Sequence, residues 1–178
     1  MEVVTREIQT ESRADKIKLS FIGDVHLGGC DCDVDLLRRC IKKIKDDELH
    51  YWFGKGDYAE FISMRDKRFD PAELDKKTMA SELNRLMDKQ ADRVVQEFES
   101  IKEYCLGLEE GNHEKMLELR GGIDVYESIC RNLRHKFDLR LGYCSIVKLR
   151  IARGDHKLLV KVCMHHGNGG GRRTGGSV

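Results

Sequence analysis

The chain has 178 residues, with 32 Lys and Arg against 31 Asp and Glu, 35% charged residues and 7% aromatic. That length supports a domain whose core rests on Leu, Ile and Val. A net charge of +1 argues against a binder that works through overall positive charge, and the apolar runs fall far short of the roughly 20 residues that span a bilayer.

The N-terminal stretch MEVVTREIQTESRADK carries alternating charge and no apolar h-region, so it does not read as a secretory signal. Residues 1–15 are expected to be an extension ahead of the domain, and the protein is expected in the cytoplasm. KIKLSFIGD alternates Ile17, Leu19 and Phe21 with polar residues and ends in Gly23-Asp24, which predicts a strand entering a loop. DVDLLRRCIKKIKDDE places Val34, Leu37, Ile41 and Ile44 at helical spacing behind Asp33 as N-cap, and its KKIKDD run reads as a solvated face. HYWFGKGD is a second short apolar strand that again ends in Gly-Asp.

Residues 70–104 read as a long amphipathic helical insert. Pro71 suits its first turn, and Leu74, Leu83, Leu86, Val94, Phe98 and Ile101 form its apolar face. YCLGLEEGNHE predicts a third strand, ending in Gly111-Asn112-His113. DVYESICRNL has Asp124 and Glu127 at capping-box spacing and reads as a helix. YCSIVKLRIAR and HKLLVKVCMHHG flank Gly154-Asp155 as a hairpin, and residues 168–178 form a glycine-rich loop. Strands alternating with helices, then a hairpin, predict one α/β domain over residues 1–178 with a mixed sheet. The seven cysteines are odd in number and lack a signal peptide ahead of them, so free thiols are expected.

Three of the strand-like runs end in residues of one kind: Asp24 and His26, then Asp57, then Asn112 and His113. The last strand of the hairpin ends in His165-His166. In α/β sheets ligands bind beyond the carboxyl ends of strands, and the neighbouring glycines permit close backbone approach. Asp, Asn and His offer the oxygen and nitrogen donors that suit Mn, Fe or Zn. One residue separates Asp24 from His26, so in an extended segment both point the same way. Asp57 can bridge two ions with its two oxygens. Two cations about 4 Å apart stabilise the attacking and leaving oxygens of phosphoryl hydrolysis, and a bound water serves as nucleophile. Each piece alone has a plainer reading: Gly-Asp as a turn, Asn112 as a helix cap, His113 as a first-turn residue. The order of the pieces carries the signal.

In that order the residues from Lys16 to Gly167 resemble the calcineurin-like metallophosphoesterases. Within that superfamily the HHGNGGG segment is similar to small bacterial and phage-encoded members. The resemblance implies a four-layer α/β/β/α sandwich and hydrolysis of a phosphate mono- or diester by a metal-bound hydroxide at a binuclear site. It assigns Asp24 and His26 to the first metal, Asp57 to the bridge, and Asn112 and His166 to the second metal. His113 becomes the general acid at the substrate phosphate. His165 is left to the substrate side, to a place behind the ligands, or to the core. Two divalent ions are implied, Mn²⁺ first, with Fe, Zn or Ni as alternatives. The partner is a phosphate ester, with nucleic acid and nucleotides among the candidates, and no membrane is involved.

The family also carries a G-H-x-H block after the H-G strand, which this chain lacks. The sandwich is therefore expected to be C-terminally incomplete, with each metal one ligand short. The alternative is a catalytically impaired or non-catalytic interaction protein of the same fold. GNGGGRRTGG lacks the G-K-[ST] ending of a phosphate loop; it reads as a flexible loop, or as one beside the metals with Arg172 and Arg173 meeting substrate phosphate. HEKML has Leu117 in place of the second histidine of a zinc-protease motif. Cys30 and Cys32 do not have the usual C-x-x-C zinc spacing.

Overall fold

A computed structural model describes residues 1–62, 64, 69–76 and 78–167. Among them the chain runs β1 (Glu2–Gln9), β2 (Lys18–Ile22), α1 (Val34–Lys45), β3 (His50–Gly54), α2 (Leu86–Phe98), β4 (Cys105–Glu109), α3 (Asn112–Gly121), α4 (Val125–Asn132), β5 (Arg140–Gly142), β6 (Cys144–Arg153) and β7 (His156–His165). The strands form two sheets. One is fully parallel in the order β2-β3-β4-β5, and the other has the order β1-β6-β7, with β1 parallel and β7 antiparallel to β6. The architecture is mixed α/β.

The sequence dictates most of these elements locally. Asp33 caps α1 by accepting from the Leu36 N–H at 2.8 Å, and Asp124 caps α4 through the Glu127 N–H at 2.7 Å. Both satisfy donors that a helix start leaves open. Leu37, Ile41 and Ile44 of α1 then pack with Val94 and Phe98 of α2, Leu117 of α3 and Ile129 of α4 on one face of the parallel sheet. Trp52 joins this core and donates its indole N–H to the Ile101 carbonyl at 2.9 Å. Phe53, one residue on, points to the other face and meets Ile8, Leu106, Leu141, Val147, Leu149 and Met164 between the sheets. The layers are helices, parallel sheet, second sheet. On the outer face of the second sheet Val3 and Cys163 stand exposed.

Residues 1–15 are not a free extension. Glu2–Gln9 pairs residue for residue with Ser145–Ala152. Arg6 turns inward: its Nε donates to the Leu106 carbonyl at 2.7 Å, its Nη2 to the Asp138 carbonyl at 2.6 Å, and its guanidinium lies 3.9 Å over the Phe137 ring. Burial pulls its pKa down. The insert over residues 70–104 is not one helix either. A 3-10 turn at Pro71–Glu73 ends at Leu74, whose backbone is extended and bridges Gly29. Cys30 donates to the Glu73 carbonyl and Asp75 to the Gly28 carbonyl, at 2.8 and 2.9 Å. The loop after β2 needs these backbone partners, and that need outweighs helix propensity. Helix resumes with a 3-10 segment at Ala80–Arg85, continues as α2, and ends in a further 3-10 segment at Glu99–Tyr104. Leu86, Val94, Phe98 and Ile101 are buried as expected, while Leu74 and Leu83 are only half-buried. No helix among the described residues is long and apolar enough to cross a membrane. Arg172, Arg173 and the glycine-rich 168–178 segment lie outside the described residues.

Candidate metal centre

The loops leaving β2 and β3 zip together through their backbones. Asp24 N–H donates to the Gly56 carbonyl, Val25 and His26 N–H both to Asp57, and Leu27 N–H to Tyr58, at 2.9–3.1 Å. This places the D-x-H segment over Asp57. The segment is not extended, as the spacing suggested. Asp24, His26 and Asp57 sit at φ 50, 51 and 50, in the left-handed region that costs a non-glycine residue about 1–2 kcal/mol. The geometry also requires glycine at two contacts. A Cβ on Gly56, itself at φ +82, would lie 2.5 Å from the Gly111 Cα, and a Cβ on Gly111 would lie 2.2 Å from the Asp57 nitrogen. The start of α3 is thereby pressed against the β3 loop, and the His113 N–H donates to Asp57 Oδ1 at 2.9 Å.

Six side chains converge here. Atoms of Asp24, Asp57 and His166 that could ligate an ion lie within 4.8 Å of one another, and so do those of His26, Asp57 and His113. Asp57, 4% exposed, belongs to both groups. His166 Nε2 lies 2.9 Å from Asn112 Oδ1 and 3.4 Å from Asp57 Oδ2. Two ligands held at right angles about 2.1 Å from one ion stand about 3 Å apart, so these spacings suit donors on a shared cation.

The histidines are tied in one way. His26 Nδ1 meets Glu60 Oε2 at 3.0 Å, His113 Nδ1 meets the Glu60 carbonyl at 2.5 Å, and His166 Nδ1 meets the Lys55 carbonyl at 2.5 Å. A carbonyl only accepts, so His113 and His166 donate from Nδ1 and keep the Nε2 lone pair for the site. Fixing the far nitrogen on an oxygen acceptor is how proteins orient metal-binding imidazoles. The hydrogen bond to Glu60 is also what raises the pKa of His26, against the lowering effect of burial. The His26 and His113 rings meet edge to face with centroids 4.7 Å apart.

Beneath the cluster lie acidic groups that sequence reasoning left without a role or missed. Glu114, 1% exposed, accepts from the backbone N–H of Asp57 at 3.0 Å, Tyr58 at 2.8 Å and Gly111 at 3.0 Å. Burial pushes its carboxyl up to about 7, with Asp57 adding to the rise and the N–H donors opposing it. Lys55 Nζ bonds the fully buried Glu109 and donates to the His165 carbonyl at 2.8 Å. That pair joins the ends of β3, β4 and β7. The capping-box spacing from Gly111 to Glu114 was the available signal for the first feature; nothing in the sequence marks the second.

Of the adjacent histidines, His166 faces Asp57 and Asn112. The His165 ring packs edge-on against Tyr143 at 5.2 Å, and its Nδ1 accepts from the Gly167 N–H at 2.9 Å. The structure thus gathers Asp24, His26, Asp57, Asn112, His113 and His166, and groups them differently from the assignment that paired Asp24 with His26. His113 falls among the cation-competent side chains as well as at the helix start. No cysteine belongs to either group among the described residues. The donor set of imidazole nitrogens and carboxylate and amide oxygens fits divalent cations of the Mn, Fe or Zn kind. No family model, curated protein or solved structure matches the chain.

Proposed function

We propose that this chain is a metal-dependent phosphoesterase of the calcineurin-like type, hydrolysing a phosphate mono- or diester at a centre for two divalent cations, Mn²⁺ first among them. One observation carries the reading: Asp57 lies between Asp24 with His166 on one side and His26 on the other, with His113 beside the second group, and all three imidazoles are oriented through Nδ1. A carboxylate common to two groups is what a binuclear centre requires. The helices, parallel sheet and second sheet supply three successive layers, and the four-layer sandwich belongs to this proposal.

Bound divalent cations supply a nucleophile at neutral pH and offset the charge that grows on the phosphoryl oxygens. The chain's own residues do the rest. Asp24, Asp57, Asn112 and His166 hold one side of the centre, and His26 with Asp57 holds the other. Glu114 fixes the loop that presents Asp57, and Glu60 fixes two imidazoles at once. His113, held by its own N–H on Asp57 and by Nδ1–H on the Glu60 carbonyl, turns Nε2 to the site; with a second proton there, as the imidazolium, it would give that proton to the leaving oxygen and return to the neutral ring.

Mn²⁺ titration by calorimetry, with hydrolysis of bis(p-nitrophenyl) phosphate, tests this. The wild type is expected to bind two ions and turn over; Asp57→Ala is expected to lose both ions and all activity. His113→Ala should keep its ions and lose about 100-fold or more in kcat. Retention of both ions by Asp57→Ala overturns the bridging role. Loss of one ion by His113→Ala makes that residue a ligand and removes it as the acid.

A further inference from the structure

A cleft of about 590 Å³ opens directly beside the candidate centre, sharing Asp24, His26 and Glu60 with it. One wall is apolar. Phe21 from β2 and Leu36 from α1 are 51% and 50% exposed, and both line the cleft above Leu37 and Cys40. Large apolar side chains left half in water on two separate elements, around one hollow, mark a binding surface. Apart from His26, the charged lining is acidic: Asp24, Asp31, Asp33, Glu60 and Glu73 contribute carboxylates, and among the described residues no Lys or Arg lines the cleft. Asp33 is committed to capping α1 and Glu60 to His26, which leaves Asp31 and Glu73 as exposed charges at the rim.

We infer that this cleft receives the organic group of the substrate ester, and that it selects an apolar group without negative charge over one that carries a further phosphate. The inference rests on the phosphoesterase reading above. Like charges brought together across an interface cost several kcal/mol, and the low-dielectric walls of a cleft screen them poorly. An oligonucleotide entering here brings a further phosphate against the exposed carboxylates of Asp31 and Glu73. A single phosphate ester of a neutral or cationic apolar alcohol meets the same carboxylates without that repulsion, and its apolar surface covers Phe21 and Leu36.

A matched pair of chromogenic diesters tests the inference: thymidine 5′-(p-nitrophenyl phosphate), and the same compound with an added 3′-phosphate, each with Mn²⁺. The added phosphate is expected to lower kcat/KM by about tenfold or more. In Asp31→Lys/Glu73→Lys, and separately in Leu36→Lys, the ratio between the two esters should fall toward one or invert. A second readout needs no turnover: benzyltrimethylammonium should bind the metal-free wild type and shift resonances of α1, and the double variant should lose that binding. Equal kcat/KM for the two esters in the wild type overturns the cleft proposal and leaves the phosphoesterase reading standing. If neither ester is cleaved, the diesterase form of the phosphoesterase reading fails. The cation then decides the cleft: binding that the double variant abolishes supports it, and no binding, or equal binding by the double variant, overturns it.

Discussion

In the parallel sheet, β3 and β4 are covered on both faces, by helices on one side and by the second sheet on the other. All five residues of β4 are buried. Charged and polar side chains therefore collect at and past their carboxyl ends, where Glu109 closes β4 and Asp57, Asn112 and His113 follow the strands. The β1-β6-β7 sheet has one face on the inter-sheet core and, among the described residues, one face open. Its charges spread along the open side, where Lys148 and Lys161 sit directly opposite each other. The same residue type thus has different energetics in the two places. A lysine at the strand ends is the counter-ion of a buried carboxylate, and Lys148 on the open face has Lys161 and Thr5 as its register partners.

The largest test of that contrast is Lys55→Met. It leaves the buried Glu109 carboxylate without its cation, which costs about 3–5 kcal/mol in urea denaturation. Replacing both members, as Lys55→Met with Glu109→Leu, should recover most of the loss, because an apolar pair of similar volume needs no desolvation. A single-variant loss below about 1 kcal/mol would mean that water reaches Glu109 and that the strand ends are no different from the open face. Glu114→Gln comes next. It keeps one acceptor oxygen for three N–H donors and should cost about 2 kcal/mol. Because those donors set the Asp57 loop, Mn²⁺ affinity should fall with stability, which calorimetry on the variant reads directly. Arg6→Met is of similar or smaller size. Three hydrogen bonds and a ring contact are lost, but so is the cost of burying the guanidinium, for a net loss of about 1–2 kcal/mol. If Arg6→Met is neutral, β1 is held by its backbone ladder alone.

The sequence made legible whatever a short window determines. β2, β3, β4, α1, α4 and the β6–β7 hairpin follow from alternation, helical spacing and caps at Asp33 and Asp124. β1 was not legible because its inward positions are Val4, Arg6 and Ile8, and a charged residue in the middle hides the alternation. β5 has only three residues, too few for a pattern. The break at Leu74 depends on a pairing with Gly29 that is 45 residues away in the chain. In the site, residue types at strand ends named side chains that the structure gathers, but the left-handed backbone at Asp24 and His26 and the resulting grouping required the zipped loops. The resemblance selects His166 over His165, and alternation gives a second ground for it: Val160, Val162 and Met164 face inward, so His166 continues that face and His165 the other.

The smallest prediction reverses the sign of the largest. Lys148 and Lys161 are register partners on the outer face of β6 and β7, with Thr5 of β1 beside Lys148. Like charges directly opposite in an antiparallel pair are destabilising by a few tenths of a kcal/mol, and threonine fits a pleated, half-covered surface better than lysine. Lys148→Thr should therefore stabilise the protein by about 0.5 kcal/mol in low salt, and by less in 0.5 M salt, where the repulsion is screened within about 4 Å. Urea denaturation at the two salt concentrations separates the charge effect from the propensity effect, since only the first depends on salt. A loss of stability on the scale of Lys55→Met would mean that Lys148 has a fixed anionic partner. The second sheet would then be covered on both faces like the first, and the difference between the two sheets would vanish.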